Sequence, residues 1–278
     1  MTLADARGTL HRRCDDRTQL RIVSLVPSLT ELLCDLGLGP AIVGRTGYCI
    51  HPADQVEHIP KVGGTKSVNV EKIRKLAPTH LIVDIDENEK PTVEALETFV
   101  PHVVVTHPQK PRDNLGLYRL FGHVFACERE ADRLSARFEA AWSALEQARE
   151  AGRWPARRVL YLIWKDPWMT VTRDTYIAAM LAVVGWEQVD VRDALDPEAK
   201  ASPRYPAIDL ARAASEADVV LLSSEPYSFT EEDVKSLSSI AARVRLVDGE
   251  MLSWYGSRAI SGLAYLGELA RTTNLVMK

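Results

Sequence analysis

From residue 21 the chain alternates short apolar runs with amphipathic stretches. RIVSLV (21–26), AIVGRT (41–46), HLIVDI (80–85) and VVVTH (103–107) are continuous apolar runs, the pattern of strands buried on both faces. Between them LTELLCDLG, VEKIRKLAP (70–78) and TVEALETF (92–99) carry the helical period. Ser28 with Glu31 three residues on has capping-box spacing, which predicts a helix start there. The same alternation resumes later. RRVLYLIW (157–164), DVVLLSSEP (218–226) and VRLVDGEM (244–251) read as strands. IAAMLAVVG (177–185), IDLARAASEA (208–217), FTEEDVKSLSSIAA (229–242, with Thr230 as its cap) and SRAISGLAYLGELARTT (257–273) read as helices. Strand–helix alternation in both halves implies two mainly parallel sheets with right-handed crossovers.

Between the halves lies a stretch of a different kind. From Pro111 to Gly152 there is no interior proline. Leu117, Leu120, Phe121, Val124, Leu134, Phe138, Trp142 and Leu145 recur at three- and four-residue steps. One helix over most of this run would be on the order of 50–60 Å long. The expected organisation is therefore a polar, loose arm at 1–19, an α/β lobe at 20–110, a linking helix at 111–152 and a second α/β lobe at 153–278.

The 278 residues are 46% hydrophobic, enough for one large or two small cores. A net charge of -4 gives no electrostatic footprint for nucleic acid. No apolar run approaches the length of a membrane span, and residues 1–19 lack the apolar core of a signal peptide. As written, the protein is expected in the cytoplasm, or in the periplasm if its true start lies upstream. The four cysteines (Cys14, Cys34, Cys49, Cys127) show no CxxC spacing, so inert thiols are expected.

In open α/β sheets, ligands bind beyond the carboxyl ends of the strands. Those positions are Ser28, Tyr48 with His51, Asp84 to Glu87, and His107 in the first half. In the second half they are Lys165 to Trp168, Ser223 to Tyr227, and Asp248 with Glu250. They carry many acids and aromatics and few cations. There is no GxSxG, Walker loop or GxGxxG. The one glycine pair, Gly63-Gly64, lacks the rest of a phosphate cradle. His51 and His58 read first as surface or capping histidines. The acidic run Asp84, Asp86, Glu87, Glu89 reads either as a solvated loop or as a site for a hard metal. Strand alternation places Trp164 in the core. Trp168, after Pro167 in a loop, is either packed or ligand-lining.

The segments RIVSLVPSLTELLCDLGLG, VGRTGYCIHP, VGGTKSVNVEKIRKLAPTHLIV, KDPWMTVTRDTYIAAMLAVVG and WYGSRAISGL resemble the helical-backbone metal receptor superfamily. Within it they are most similar to the cobalamin-binding proteins of ABC importers, with siderophore and haem binders further off. The likeness runs from about Arg21 to Leu269. It implies two α/β lobes joined by one long backbone helix. It also implies a non-enzymatic, monomeric solute-binding protein holding a metal-containing small molecule in a preformed cleft, with no covalent cofactor. The ligand class is a corrinoid, haem or another metal chelate.

Carried over residue by residue, the resemblance implies ligand contacts at Tyr48, Thr65, Asp84, Asp86, Trp168, Tyr205, Glu250 and Arg258. Thr65 and Asp84 stand where the cobalamin binders have tryptophans. With mainly Arg258 and Lys165 as cations, a neutral or cationic complex fits better than an anionic one. Importer-coupled relatives present one glutamate per lobe to an ABC permease. Glu71 matches the first, with a plain surface carboxylate as the competing reading. The second aligns near Ala211 and is missing, with Asp209 or Glu216 as substitutes. The alternative function is a cytoplasmic metal-binding enzyme or metal-handling factor, not coupled to an importer. Its metal candidates are His51, Asp84, Asp86 and Glu87, with His107 beside them.

Overall fold

The computed structural model describes residues 3–196, 202–239 and 243–275. Residues 197–201 and the end of the expected helix at 229–242 lie outside them. In chain order the first strands are β1 (Leu3–Ala4), β2 (Leu10–His11) and β3 (Ile22–Ser24). Then come α1 (Pro27–Asp35), β4 (Ile42–Arg45), α2 (Ala53–Val56), α3 (Val70–Leu76), β5 (His80–Asp84), α4 (Lys90–Glu97) and β6 (His102–Thr106). Two helices follow, α5 (Asp113–Val124) and α6 (Glu128–Glu150). The second series is β7 (Arg157–Trp164), β8 (Met169–Thr170), α7 (Tyr176–Ala182), β9 (Trp186–Gln188), α8 (Leu210–Ser215) and β10 (Val219–Ser223). It closes with α9 (Glu231–Leu237), β11 (Val244–Val247), α10 (Gly249–Ser253) and α11 (Arg258–Leu275).

The chain forms two compact units. The first comprises Met1–Pro108, Arg112–Phe138 and Tyr255–Arg258; the second comprises Gln109–Pro111, Glu139–Trp254 and Ala259–Lys278. The fold is α/β with parallel sheets, as the alternation predicts. The first unit has a four-stranded sheet in the order β4-β3-β5-β6, all parallel. Val23, Leu25, Leu81, Val83, Val103 and Val105 fill its core together with Ile73, Val93 and Leu96 from the helices. In the second unit β11-β10-β7 run parallel, and one edge of β7 is shared by parallel β9 and antiparallel β8. Its core joins Leu160, Leu162, Val220 and Leu222 to Leu210, Ala213, Phe229 and Leu237.

Three expectations change. The run 111–152 folds as two helices rather than one, with the 23-residue α6 as the long one. Ala126 adopts a left-handed φ of 53°. The Cys127 N–H returns to the Gly122 carbonyl at 2.8 Å and the Ala126 N–H to the His123 carbonyl at 3.4 Å. That is a Schellman stop. Gly122 permits it, because a Cβ there would lie 2.7 Å from the Ala131 Cβ in the next helix.

The N-terminal arm is ordered: β1 and β2 form a hairpin, and Ala6 N–H donates to the Val105 carbonyl of β6. Ser28 does not cap α1, which starts one residue earlier with Pro27 in its first turn and Val26 as an uncapped N-terminus. The Thr230 cap does form, as a full capping box with Asp233. The four cysteines are free; three are buried, and burial pushes the Cys34 and Cys127 thiols up to about 12.

Candidate functional site

In the first unit the carboxyl ends of β3, β5 and β6 converge on one buried carboxylate. Asp84 ends β5 and is 3% exposed. It accepts a hydrogen bond from the Thr106 hydroxyl at 2.8 Å and one from the Asp86 N–H at 2.9 Å. Burial pushes its carboxyl up from the ordinary carboxylate range. The Tyr255 ring is buried beside it. Burial, then the charges of Asp84 and Glu87, push that phenol well up. Asn88 locks the turn: its side-chain carbonyl accepts from the Asp84 N–H, and its amide donates to the carbonyls of Thr65 and Leu25. Asp84 is therefore a structural carboxylate rather than a displayed contact. What the loop displays is Ile85, 47% exposed, and Asp86, whose carboxylate lies 3.5 Å from the His107 imidazole.

Tyr48 is 66% exposed at the end of β4 and lies over Gly64; a Cβ on that glycine would meet the ring at 3.4 Å. Thr65 is half-buried in the same loop, and His51 is half-buried further along. Arg258 is ion-paired within the fold. Its guanidinium forks onto the Glu31 carboxylate at 2.8 and 2.7 Å, with side chains only 11% and 17% exposed. The segment that carries it is held from α5: Asn114 accepts from Gly256 N–H at 2.6 Å, and the Tyr118 hydroxyl donates to the Gly256 carbonyl at 2.9 Å.

In the second unit Trp164 leaves its expected core place, and Trp168 takes the packed of its two readings. A register shift in the β7–β8 pairing between Leu162 and Trp164 turns Trp164 outward, so it is 39% exposed, edge-on to Tyr227 at 5.6 Å. Trp168 instead stacks flat on Phe229, at 5.9 Å and 2°, against the core. Lys165 is bound to Asp233 at 2.7 Å. Tyr205 is half-buried in the loop before α8. Glu250, with Ser224, Glu225, Leu246, Val247 and Asp248, lines a cavity of about 460 Å³ beyond the ends of β10 and β11. Burial raises the Glu225 carboxyl, although Ser253 and Trp254 donate to it at 2.7 and 2.8 Å.

Among the described residues no group of three or more His, Cys, Asp or Glu is placed to hold a metal ion. His51, Asp84, Asp86 and Glu87 do not form such a group. Glu71 is exposed on α3, 3.5 Å from Arg74. Ala211 is exposed on α8. Of its substitutes, Asp209 caps that helix through the Arg212 N–H, and Glu216 pairs with Arg158 at 2.9 Å. Sequence reasoning missed Asn88 as a site builder; Glu225 and Tyr227 stood within the strand-end range Ser223 to Tyr227, without a role assigned to either. Asn88 was the one uncharged residue in DENEK, and an amide there signals a turn tied to backbone.

The chain is similar to an uncharacterized ABC transporter substrate-binding lipoprotein, YvrC, of Bacillus subtilis. They are 28% identical over 170 residues, 59% of this chain and 53% of that one. It is also similar to the vitamin B12-binding protein of Photorhabdus laumondii subsp. laumondii, 28% identical over 123 residues, 43% of this chain and 44% of that one. The chain thus matches only about half the length of these curated relatives. Among solved structures, the apo periplasmic heme-binding protein RhuT from Roseiflexus sp. RS-1 shares the fold at TM-score 0.75. It is 20% identical, with 92% of this chain and 99% of that one covered.

These relatives overturn the expectation of a cytoplasmic protein: one is a lipoprotein and one is periplasmic, which points outside the cytoplasm. Among the described residues no helix is long and apolar enough to cross a membrane. A family profile described as periplasmic binding protein matches residues 22–239, and the chain belongs to that family.

Proposed function

We propose that this protein is a non-enzymatic solute-binding protein for a neutral or cationic metal complex with a flat organic face, a corrinoid or a related macrocyclic chelate. The observation that carries this reading is the fate of the two cations expected at the site. Arg258 is neutralised by Glu31 and Lys165 by Asp233. What the strand ends display instead is aromatic and acidic. In the first unit these are Tyr48 and Asp86, with Thr65 beside them; in the second they are Trp164, Tyr227, Tyr205 and the carboxylates of the Glu250 cavity. Aromatic faces suit a macrocycle, and carboxylates repel an anionic chelate. The relatives that bind vitamin B12 and heme support the ligand class. Glu71 is the proposed docking carboxylate for an ABC permease.

Thermal unfolding against a ligand panel tests this. At a ligand concentration about 100 times Kd, stabilisation is about 2.7 kcal/mol, a rise of several degrees. Cobinamide or cobalamin is expected to give that rise, and an anionic ferric siderophore none. A siderophore-only response would reverse the charge assignment. Within the second unit, Trp164→Ala is expected to weaken binding about tenfold with little change in stability, whereas Trp168→Ala, which empties a stacked core position, costs mainly stability.

A further inference from the structure

The exposed large apolar side chains of the first unit are not scattered. Among its described residues they are Leu10, Tyr48, Ile50 and Ile85. Leu10 belongs to the N-terminal hairpin; the other three stand beyond the carboxyl ends of β4 and β5. Exposed hydrophobics that occur singly need no explanation, but a group at the ligand-facing end of a parallel sheet does.

Ile85 directly follows Asp84, and the backbone around it is fixed. Its N–H donates to the Thr106 carbonyl at 3.1 Å. Before it, the Asp84 N–H donates to the Asn88 side chain at 2.9 Å; after it, the Asp86 N–H donates to the Asp84 carboxylate at 2.9 Å. The Asn88 N–H closes the turn onto the Asp84 carbonyl at 3.0 Å. Asp84 and Asn88 are both buried in making this turn, and Ile85, 47% exposed, is the apolar group it displays. Ile85 has no place in the core cluster of this unit.

The same turn is tied to the segment beside Tyr48. The Asn88 amide donates to the Thr65 carbonyl at 2.9 Å. Thr65 follows Gly64, where an added Cβ would meet the Tyr48 ring at 3.4 Å. The Gly64 N–H is anchored on the Ser67 carbonyl at 2.9 Å, and the Gly47 N–H, just before Tyr48, on the Gly63 carbonyl at 2.8 Å. The strand order β4-β3-β5 leaves one strand between the two ends, so they stand about 10 Å apart.

We propose that Ile85 and Tyr48 form a rigid apolar shelf, on which Ile85 is a direct contact for the methyl groups that project from the face of a corrin ring. The proposal rests on the solute-binding reading above. An aliphatic side chain takes up methyl groups by apolar burial, which makes no directional demand, and the phenol ring of Tyr48 adds a flat face beside it. Because the backbone on both sides of Ile85 is already hydrogen-bonded, little ordering remains to oppose binding.

An absorbance titration of the full chain with cobinamide, alongside the melting temperature without ligand, tests this. If a ligand covered the whole side chain, Ile85→Ala would weaken binding about fiftyfold; with about half of it accessible, about tenfold is expected. Ile85→Leu is expected to stay within about threefold of wild type. The tenfold loss is expected to persist at high ionic strength, because salt screens charges and not apolar burial. The melting temperature of ligand-free Ile85→Ala is expected to match wild type. Four results would each overturn the proposal: wild-type affinity in Ile85→Ala, a loss that vanishes in high salt, a loss that Ile85→Leu shares in full, or a loss matched by a fall in the ligand-free melting temperature. A wild-type chain that takes up no cobinamide removes the solute-binding reading and this proposal with it; that failure shows in the unaltered protein, whereas the other four show only in the variants.

Discussion

Gly63→Ala is expected to destabilise the first unit by about 3–5 kcal/mol, seen as a fall in its melting temperature. Gly63 has φ of +122°, a conformation that strains any residue with a Cβ. An added Cβ would lie 2.4 Å from the Ser67 carbonyl oxygen, 3.0 Å from the Val68 Cα and 3.2 Å from the Asn69 nitrogen. All three are backbone, so no rotamer change relieves the clash. Nor is the backbone free to move. Gly64 N–H is tied to the Ser67 carbonyl, Asn69 N–H to Val62, and Gly47 N–H to Gly63 itself, while Asn69 caps α3. Gly64→Ala is the control. Its Cβ would meet the Ser67 hydroxyl and the Tyr48 ring, both side chains that can yield, so about 1 kcal/mol is expected. Equal stability of Gly63→Ala and wild type would contradict the loop geometry. Because this loop supports Tyr48 and presents Thr65, the variant should also lose ligand affinity.

The second large effect concerns Arg258. Arg258→Leu leaves the Glu31 carboxylate, 17% exposed, without its forked partner. Removing one member of a buried pair costs about 3–5 kcal/mol; the residual exposure here brings the expectation to about 2–4 kcal/mol. The double variant Arg258→Leu with Glu31→Leu is expected to recover most of this, because no charge is then stranded. A double variant no more stable than the single one would show that Arg258 matters for something other than neutralising Glu31. Ligand affinity adds a second readout. If Arg258 contacted an anionic ligand directly, affinity would fall in the single and double variants alike. With Arg258 acting only on Glu31, affinity is expected to return with stability.

The sheets were legible because buried parallel strands are nearly continuous apolar runs. β3, β5, β6, β10 and β11 each stand within or very near the predicted segment. The break between α5 and α6 was not. Phe125 and Cys127 keep the apolar period going, and the stop is made by Ala126 in a left-handed conformation that its side chain does not announce. The hairpin read as a loose arm because its anchor is a carboxylate acting as a strand partner, which looks like surface polarity in one dimension.

At the site, strand-end positions were readable, but partnerships were not. Arg258 finds Glu31 across 227 residues and Lys165 finds Asp233 across 68. Periodicity says which side chains leave a strand end; it does not say which of them neutralise one another. Trp164 was misplaced for a related reason: two-residue alternation assumes a regular ladder, and the shift at Leu162 breaks it. The two cations at the strand ends are thus each paired with an acid, while an aromatic assigned to the core is displayed.

The central claim is that this chain binds a neutral or cationic metal macrocycle stoichiometrically. A visible-absorbance titration of the purified protein with cobinamide and cobalamin, with haem as the anionic comparison, separates the outcomes. Saturable one-to-one binding of cobinamide or cobalamin in the micromolar range or tighter is expected, weakened by Trp164→Ala. No saturable uptake of either corrinoid by a folded protein, or uptake of haem alone, is the result that overturns it.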